Sequence, residues 1–189
     1  MKKYELTAEF IEKWGKKLFR IKALISFGSV EAGEFGGYVE KEDNLAQEGD
    51  AWVYGDAWVY GDAWVYGNAR VYGNARVYGD AWVYGDAWVY GNAWVCGNAE
   101  VYGNADYLLI GRIGSRFSFT TFFKNKDKGI TVSCGCFLGT IAEFRAKVTD
   151  THGNNKHAKM YNLAADMAEL QILGEEHFDK LNTNKSELF

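Results

Sequence analysis

Cysteine is scarce in this 189-residue chain: three residues, two of them the close pair Cys134 and Cys136. Three thiols do not make a disulfide framework, and residues 1–10 hold no apolar core of a secretion signal. A reducing cytoplasm is therefore the expected setting. No apolar run approaches the roughly 20 residues of a membrane-spanning helix. Positive charge is also short, since 21 Lys and Arg against 25 Asp and Glu leave a net charge of −4. A nucleic-acid groove needs the opposite balance, so nucleic acid and membrane are set aside as partners. Histidine occurs only at His152, His157 and His177.

What the chain has in abundance is one phrase. From Gly49 to Tyr102 the six residues Gly-[Asp/Asn]-Ala-x-Val-Tyr recur nine times without insertion, and only Cys96, in a Tyr slot, breaks the fixed positions. Within a unit, as in Ala51-Trp52-Val53, alternation puts Ala and Val on one face of a short strand and the variable residue on the other. Gly followed by Asp or Asn supplies a corner, because both types tolerate positive φ. Strand and corner repeated at a fixed period make a solenoid.

Val53 with Ala57, and Val59 with Ala63, pair an aliphatic residue with a small one four positions later. In this the phrase resembles the left-handed parallel β-helix of hexapeptide-repeat proteins. The resemblance implies three units per turn and a crossover hand opposite to that of βαβ units. Nine units then make three coils, and the variable slot falls into three columns: Trp52, Arg70 and Trp88; Trp58, Arg76 and Trp94; Trp64, Trp82 and Glu100. Two columns place an arginine between indoles, the arrangement of a cation–π contact. Tyrosines form neighbouring ladders, with Cys96 completing that of Tyr60 and Tyr78. Six outward tryptophans mark an interface, and the analogy to hexapeptide-repeat proteins favours a trimer.

The flanks lack the strict repeat. Residues 1–48 read as an N-terminal β cap, with Phe19 to Phe27 alternating as a strand and Val39 and Leu45 at a six-residue step in a lead-in coil. The β-helix is expected over residues 49–114, because Ala105, Tyr107, Gly111 and Ile113 keep the phase for about two more units. Residues 115–172 read as a hairpin plus two helices, a small α+β module, followed by a polar tail over 173–189. Thr140 with Glu143 matches a capping box. The second helix, Lys156 to Ile172, carries Met160, Leu163, Met167 and Leu170 on one side. The expected class is thus mainly β, a solenoid with β cap and α+β appendage.

Several phrases outside and within the repeat, among them Leu18-Phe19-Arg20-Ile21, Gly36-Gly37-Tyr38-Val39-Glu40, Ser133-Cys134-Gly135-Cys136-Phe137 and Thr151-His152-Gly153, resemble a group of phage and bacterial hexapeptide-repeat proteins. That resemblance carries architecture and no established activity. Hexapeptide-repeat acyltransferases use a histidine on the coils or on a protruding loop; the nine repeats contain neither. Cys134, Cys136 and His152 are the remaining candidates for zinc or thiolate chemistry, one ligand short of a closed site, so no catalytic residue, metal or cofactor is assigned. The expected function is a non-enzymatic oligomeric scaffold or binding protein of phage or prophage type. The alternatives are an inhibitor of host defence that grips a host protein or sequesters a small nucleotide, and an acyltransferase.

Overall fold

A computed structural model describes residues 1–179 of the chain, which divides into two compact units, Met1–Asn104 and Ala105–Phe189. The last ten residues of the expected polar tail lie outside the described part.

The first unit begins with a hairpin of β1 (Tyr4–Lys13) and β2 (Lys16–Ala23). Trp14 and Gly15 turn it, with φ of 51° and 75°; two successive residues at positive φ match the right-handed twist of paired strands. Apolar–polar alternation in β1 is the pattern of a strand with one covered face, and β2 ends at Ala23 rather than running on to Phe27. The strand β3 (Phe35–Val39) pairs antiparallel with β2 and parallel with the coils.

Nine two-residue strands follow: β4 (Trp52–Val53), β5 (Trp58–Val59), β6 (Trp64–Val65), β7 (Arg70–Val71), β8 (Arg76–Val77), β9 (Trp82–Val83), β10 (Trp88–Val89), β11 (Trp94–Val95) and β12 (Glu100–Val101). They stack in parallel as β4-β7-β10, β3-β5-β8-β11 and β6-β9-β12. Val53 lies beside Val71 and Val71 beside Val89, which is the 18-residue register expected from the repeat. The chain is a β-solenoid. Every repeat Ala and Val is buried, and backbone ladders join the coils, as Trp52 N–H to Ala69 O (3.0 Å) and Tyr54 N–H to Val71 O (2.7 Å).

The corners need glycine twice over. Gly79 has φ +73°, and a Cβ there would stand 2.9 Å from the Gly97 nitrogen of the next coil. Side chains therefore fit neither the dihedral nor the gap. The lead-in coil is present but longer: Val39 stands beside Val59 and Leu45 bridges Val65. Leu45 thus occupies a valine slot, and the corner from it to Val53 holds two residues more than a repeat corner does.

A polar plug closes the lower end of this unit. The buried Lys3 amine donates to the carbonyls of Gly49 (3.2 Å) and Ala51 (2.9 Å). Asn44 donates to Gly61 O (3.0 Å) and Ala63 O (2.8 Å). These donors satisfy carbonyls that have no further coil to pair with, and so blunt an edge that would otherwise recruit another chain.

The second unit is a four-stranded antiparallel meander, β13 (Tyr107–Ile113), β14 (Ser118–Lys124), β15 (Ile130–Cys134) and β16 (Phe137–Thr140), followed by α1 (Ile141–His152) and α2 (Lys156–Leu173). This corrects the expectation that the solenoid continues for two units beyond Tyr102. The next corner would fall at Leu109-Ile110, where no Gly-Asp or Gly-Asn stands, so β13 runs straight and pairs with β14. Asn125 shapes the β14–β15 turn by accepting from the N–H groups of Asp127 and Gly129. Thr140 caps α1 in a box with Glu143, and Asn155 caps α2 by accepting from His157 N–H (2.8 Å) and Ala158 N–H (3.2 Å).

The core of this unit joins Phe122, Val132, Phe144, Val148 and Tyr161 to four alanines of α2, Ala158, Ala164, Ala165 and Ala168. An apolar helix side usually packs inward. Here Met160, Leu163, Met167 and Leu170 are exposed, and the alanine side faces the core. Arg145 ties α1 to α2 through Asp166 (2.8 Å) and the buried Glu169 (2.6 Å). No helix among the described residues is long and apolar enough to cross a membrane.

Candidate functional site

The solenoid columns differ from one another in ways the repeat does not announce. In the second column Arg76 lies over Trp58 at 4.4 Å and Trp94 at 4.8 Å, the expected sandwich, and Trp14 of the N-terminal hairpin adds a third ring at 5.6 Å. In the first column Arg70 covers only Trp88, at 5.1 Å. Trp52 is fully buried, edge-on to Tyr4 (6.0 Å) and Phe27 (5.4 Å). The cap claims this indole, so it is not an outward residue. In the third column Trp64 and Trp82 meet edge to face at 6.4 Å, and Glu100 accepts from the Tyr84 hydroxyl at 2.7 Å.

Tyrosine ladders run beside the columns. Tyr60 stacks on Tyr78 at 4.9 Å, and Tyr66 on Tyr84 at 4.8 Å, both nearly parallel. Cys96 is buried at the end of the first of these ladders. Burial pushes the Tyr60 hydroxyl up to about 12, so the ladder stays neutral across the physiological range. At the corners Asn68 donates to Asp86 at 3.1 Å, as the alternation of amide and carboxylate suggests. Asp62, stacked in sequence register with Asp80, takes an ion pair from Lys41 at 2.8 Å.

Exposure singles out part of this surface. Trp64, Trp82, Trp88, Tyr90 and Tyr102 are all exposed, at 37 to 60 %, whereas Trp58 and Trp94 are half-covered by their arginine. Beside Trp88, a groove of about 290 Å³ is lined by Ser29, Tyr54, Arg70 and Tyr72. Among the described residues no carboxylate lies within ion-pair distance of Arg70 or Arg76. An unpaired guanidinium between aromatic faces suits a planar anion.

In the second unit the three thiol and imidazole candidates come together without forming a ligand set. Cys134 and Cys136 and the ring of His152 line one cavity of about 430 Å³. Cys134 is buried at the end of β15 and accepts from the Thr120 hydroxyl at 3.2 Å, whereas Cys136 is exposed in the following turn. Among the described residues no three His, Cys, Asp or Glu side chains are placed to hold a metal ion. Phe137, Phe144, Val148 and Tyr161 form the apolar wall, with Arg116 and Lys147 at the rim. These lining residues come from separate elements, and no sequence pattern joins them. Trp14 and Tyr4 stand out in the sequence only as aromatics of the flank, and Phe27, expected in an alternating strand from Phe19, lies beyond the end of β2 at Ala23.

A family model described as the YdcK beta solenoid repeat matches residues 63–79 and 69–85, two windows offset by one six-residue repeat. No curated protein is similar to the chain at a significant level. The match falls on the regular coils, and with the stacked parallel strands it supports a β-solenoid protein, the architecture rather than an activity.

Proposed function

We propose that the chain is a non-enzymatic, oligomeric binding scaffold that presents its solenoid columns as an interface. The observation that carries this reading is the exposed aromatic strip of Trp64, Trp82 and Tyr102 on one face, continued by Trp88 and Tyr90 on another. Large rings left in water along a rigid ladder are the composition of an interface core. A trimer is the proposed assembly, and a left-handed coil the proposed hand, both by analogy to hexapeptide-repeat proteins of phage or prophage type. The cytoplasm is the proposed compartment, where the three thiols, none of them in a disulfide, stay reduced. Light scattering tests the assembly: the parent should run at a multiple of 21.3 kDa, and Trp64→Lys with Trp82→Lys should reduce it to one chain with unchanged circular dichroism. A parent that is monomeric at high micromolar concentration would refute the oligomer.

The groove at Arg70 favours one alternative in particular, sequestration of a small nucleotide by an inhibitor of host defence. Base stacking on Trp88 and phosphate pairing to the unpaired guanidinium are the contacts available there. Thermal shift with a nucleotide panel, in parent and Arg70→Met, tests it, and acyl-CoA in the same panel tests the acyltransferase reading.

A further inference from the structure

The cavity of the second unit is chemically lopsided. Its wall is aromatic and aliphatic, its rim carries Arg116 and Lys147, and among the described residues no Asp or Glu lines it. Its volume, about 430 Å³, falls within the range of small-molecule pockets. In a chain of net charge −4, a lining with cations and no carboxylate is a local inversion of the overall balance. It therefore focuses a positive potential on an apolar hollow.

The parts are held in place. A Cβ on Gly135, whose φ is +63°, would collide with the Arg116 guanidinium, so the arginine lies close against the turn that carries Cys136. Arg116 has no ion-pair partner among the described residues, and Lys147 has one, the solvent-exposed Asp150 at 3.3 Å, which does not line the cavity. The His152 ring stacks on Tyr161 at 5.8 Å and 27°. Tyr161 packs edge-on against Phe144 at 5.6 Å. Burial raises the Tyr161 hydroxyl above its ordinary value, so it remains a neutral donor.

We propose that this cavity is a binding site for a small organic monoanion with an apolar body, such as an arylalkyl carboxylate. Its ring lies against Phe137, Phe144 and Val148, and its carboxylate is met by Arg116 and Lys147. A guanidinium offers two parallel N–H donors to a carboxylate, and a hollow partly shielded from water strengthens that pair. The site is independent of the solenoid columns, so it stands or falls apart from the scaffold reading.

Cys136 reports on occupancy. It is the one exposed cysteine of the three, and it lines the cavity. Iodoacetamide alkylates it with formation of a carbon–sulfur bond, loss of iodide and release of the thiol proton to solvent, and mass spectrometry reads the rate. With phenylacetate at about ten times its dissociation constant, mass action should slow that rate about tenfold. Phenethylamine, the same body with opposite charge, should leave it unchanged. Arg116→Met and Lys147→Met should each weaken the protection by phenylacetate, measured against the unprotected rate of the same variant, while leaving the melting temperature near that of the parent. Equal rates with and without phenylacetate up to 10 mM, a concentration at which about 2.7 kcal/mol of binding would already register, would overturn the site. Equal protection by phenylacetate and phenethylamine would overturn its anion selectivity and with it the proposal.

Discussion

Trp52 and Trp88 occupy the same slot two coils apart and share a column with Arg70, yet one is fully buried and the other is 43 % exposed. Removing each should separate packing from display. Trp52→Ala leaves a void among Tyr4, Phe27 and the first coil and should cost about 3–5 kcal/mol in urea unfolding. Trp88→Ala should cost less than about 1 kcal/mol. The Trp52 Nε1 donor is buried without a partner, so Trp52→Phe, which deletes that donor, should cost far less than Trp52→Ala. Lys3 gives a second test at this scale. Burial lowers its amine to about 8 from an ordinary 10.5. Between those values the unfolded chain keeps a proton that the folded chain has released, so this residue's contribution to stability rises with pH across that window. The melting temperature of the parent relative to Lys3→Met should therefore climb from pH 8 to pH 10.5; a constant offset would show that the amine is not desolvated. Tyr4, whose hydroxyl burial also raises, is common to both proteins and cancels.

At the scale of elements, α2 turns its larger apolar residues to solvent and its alanines to the sheet. Ala165→Leu should overpack that contact and cost about 1–3 kcal/mol, whereas Leu163→Lys and Met167→Lys should each change unfolding in urea by less than about 0.5 kcal/mol. The reverse ranking would mean that the exposed side is the packed one. This inversion explains part of what could be read in the sequence. Period and caps were legible, since Gly-Asp corners and the Thr140–Glu143 box each act through local backbone geometry. The inward face of α2 was not, because alanine marks close approach as well as indifference, and large side chains dominate any periodicity. Likewise the 18-residue register placed Arg76 between Trp58 and Trp94 correctly. The burial of Trp52 depends on Tyr4 and Phe27, which no repeat spacing connects to it. The phase-keeping residues Ala105 to Ile113 misled for a related reason: strand slots recur there, but corners do not.

At the scale of the whole molecule, spectroscopy divides along the chain. All seven tryptophans, Trp14 to Trp94, lie in the first unit, and α1 and α2 lie in the second. Tryptophan emission therefore follows the solenoid, and ellipticity at 222 nm is dominated by the helical module. With a separate core in each unit, the two probes should give different urea midpoints. Coincident midpoints and slopes would show that the units unfold as one.

The 18-residue register also bears on how such a chain can change length. Deleting Asn68 to Gly85 removes one whole coil, rejoins Gly67 to Asp86, and leaves every remaining strand over a strand of its own column. Deleting a single repeat instead moves all later side chains to the neighbouring face, and Arg76 leaves the space between Trp58 and Trp94. Nearly identical repeats invite slippage when their gene is copied, and slippage by one unit scrambles the columns while slippage by three preserves them. The heritable quantum of this solenoid is the coil and not the hexapeptide, so surviving length variants should differ by multiples of 18 residues.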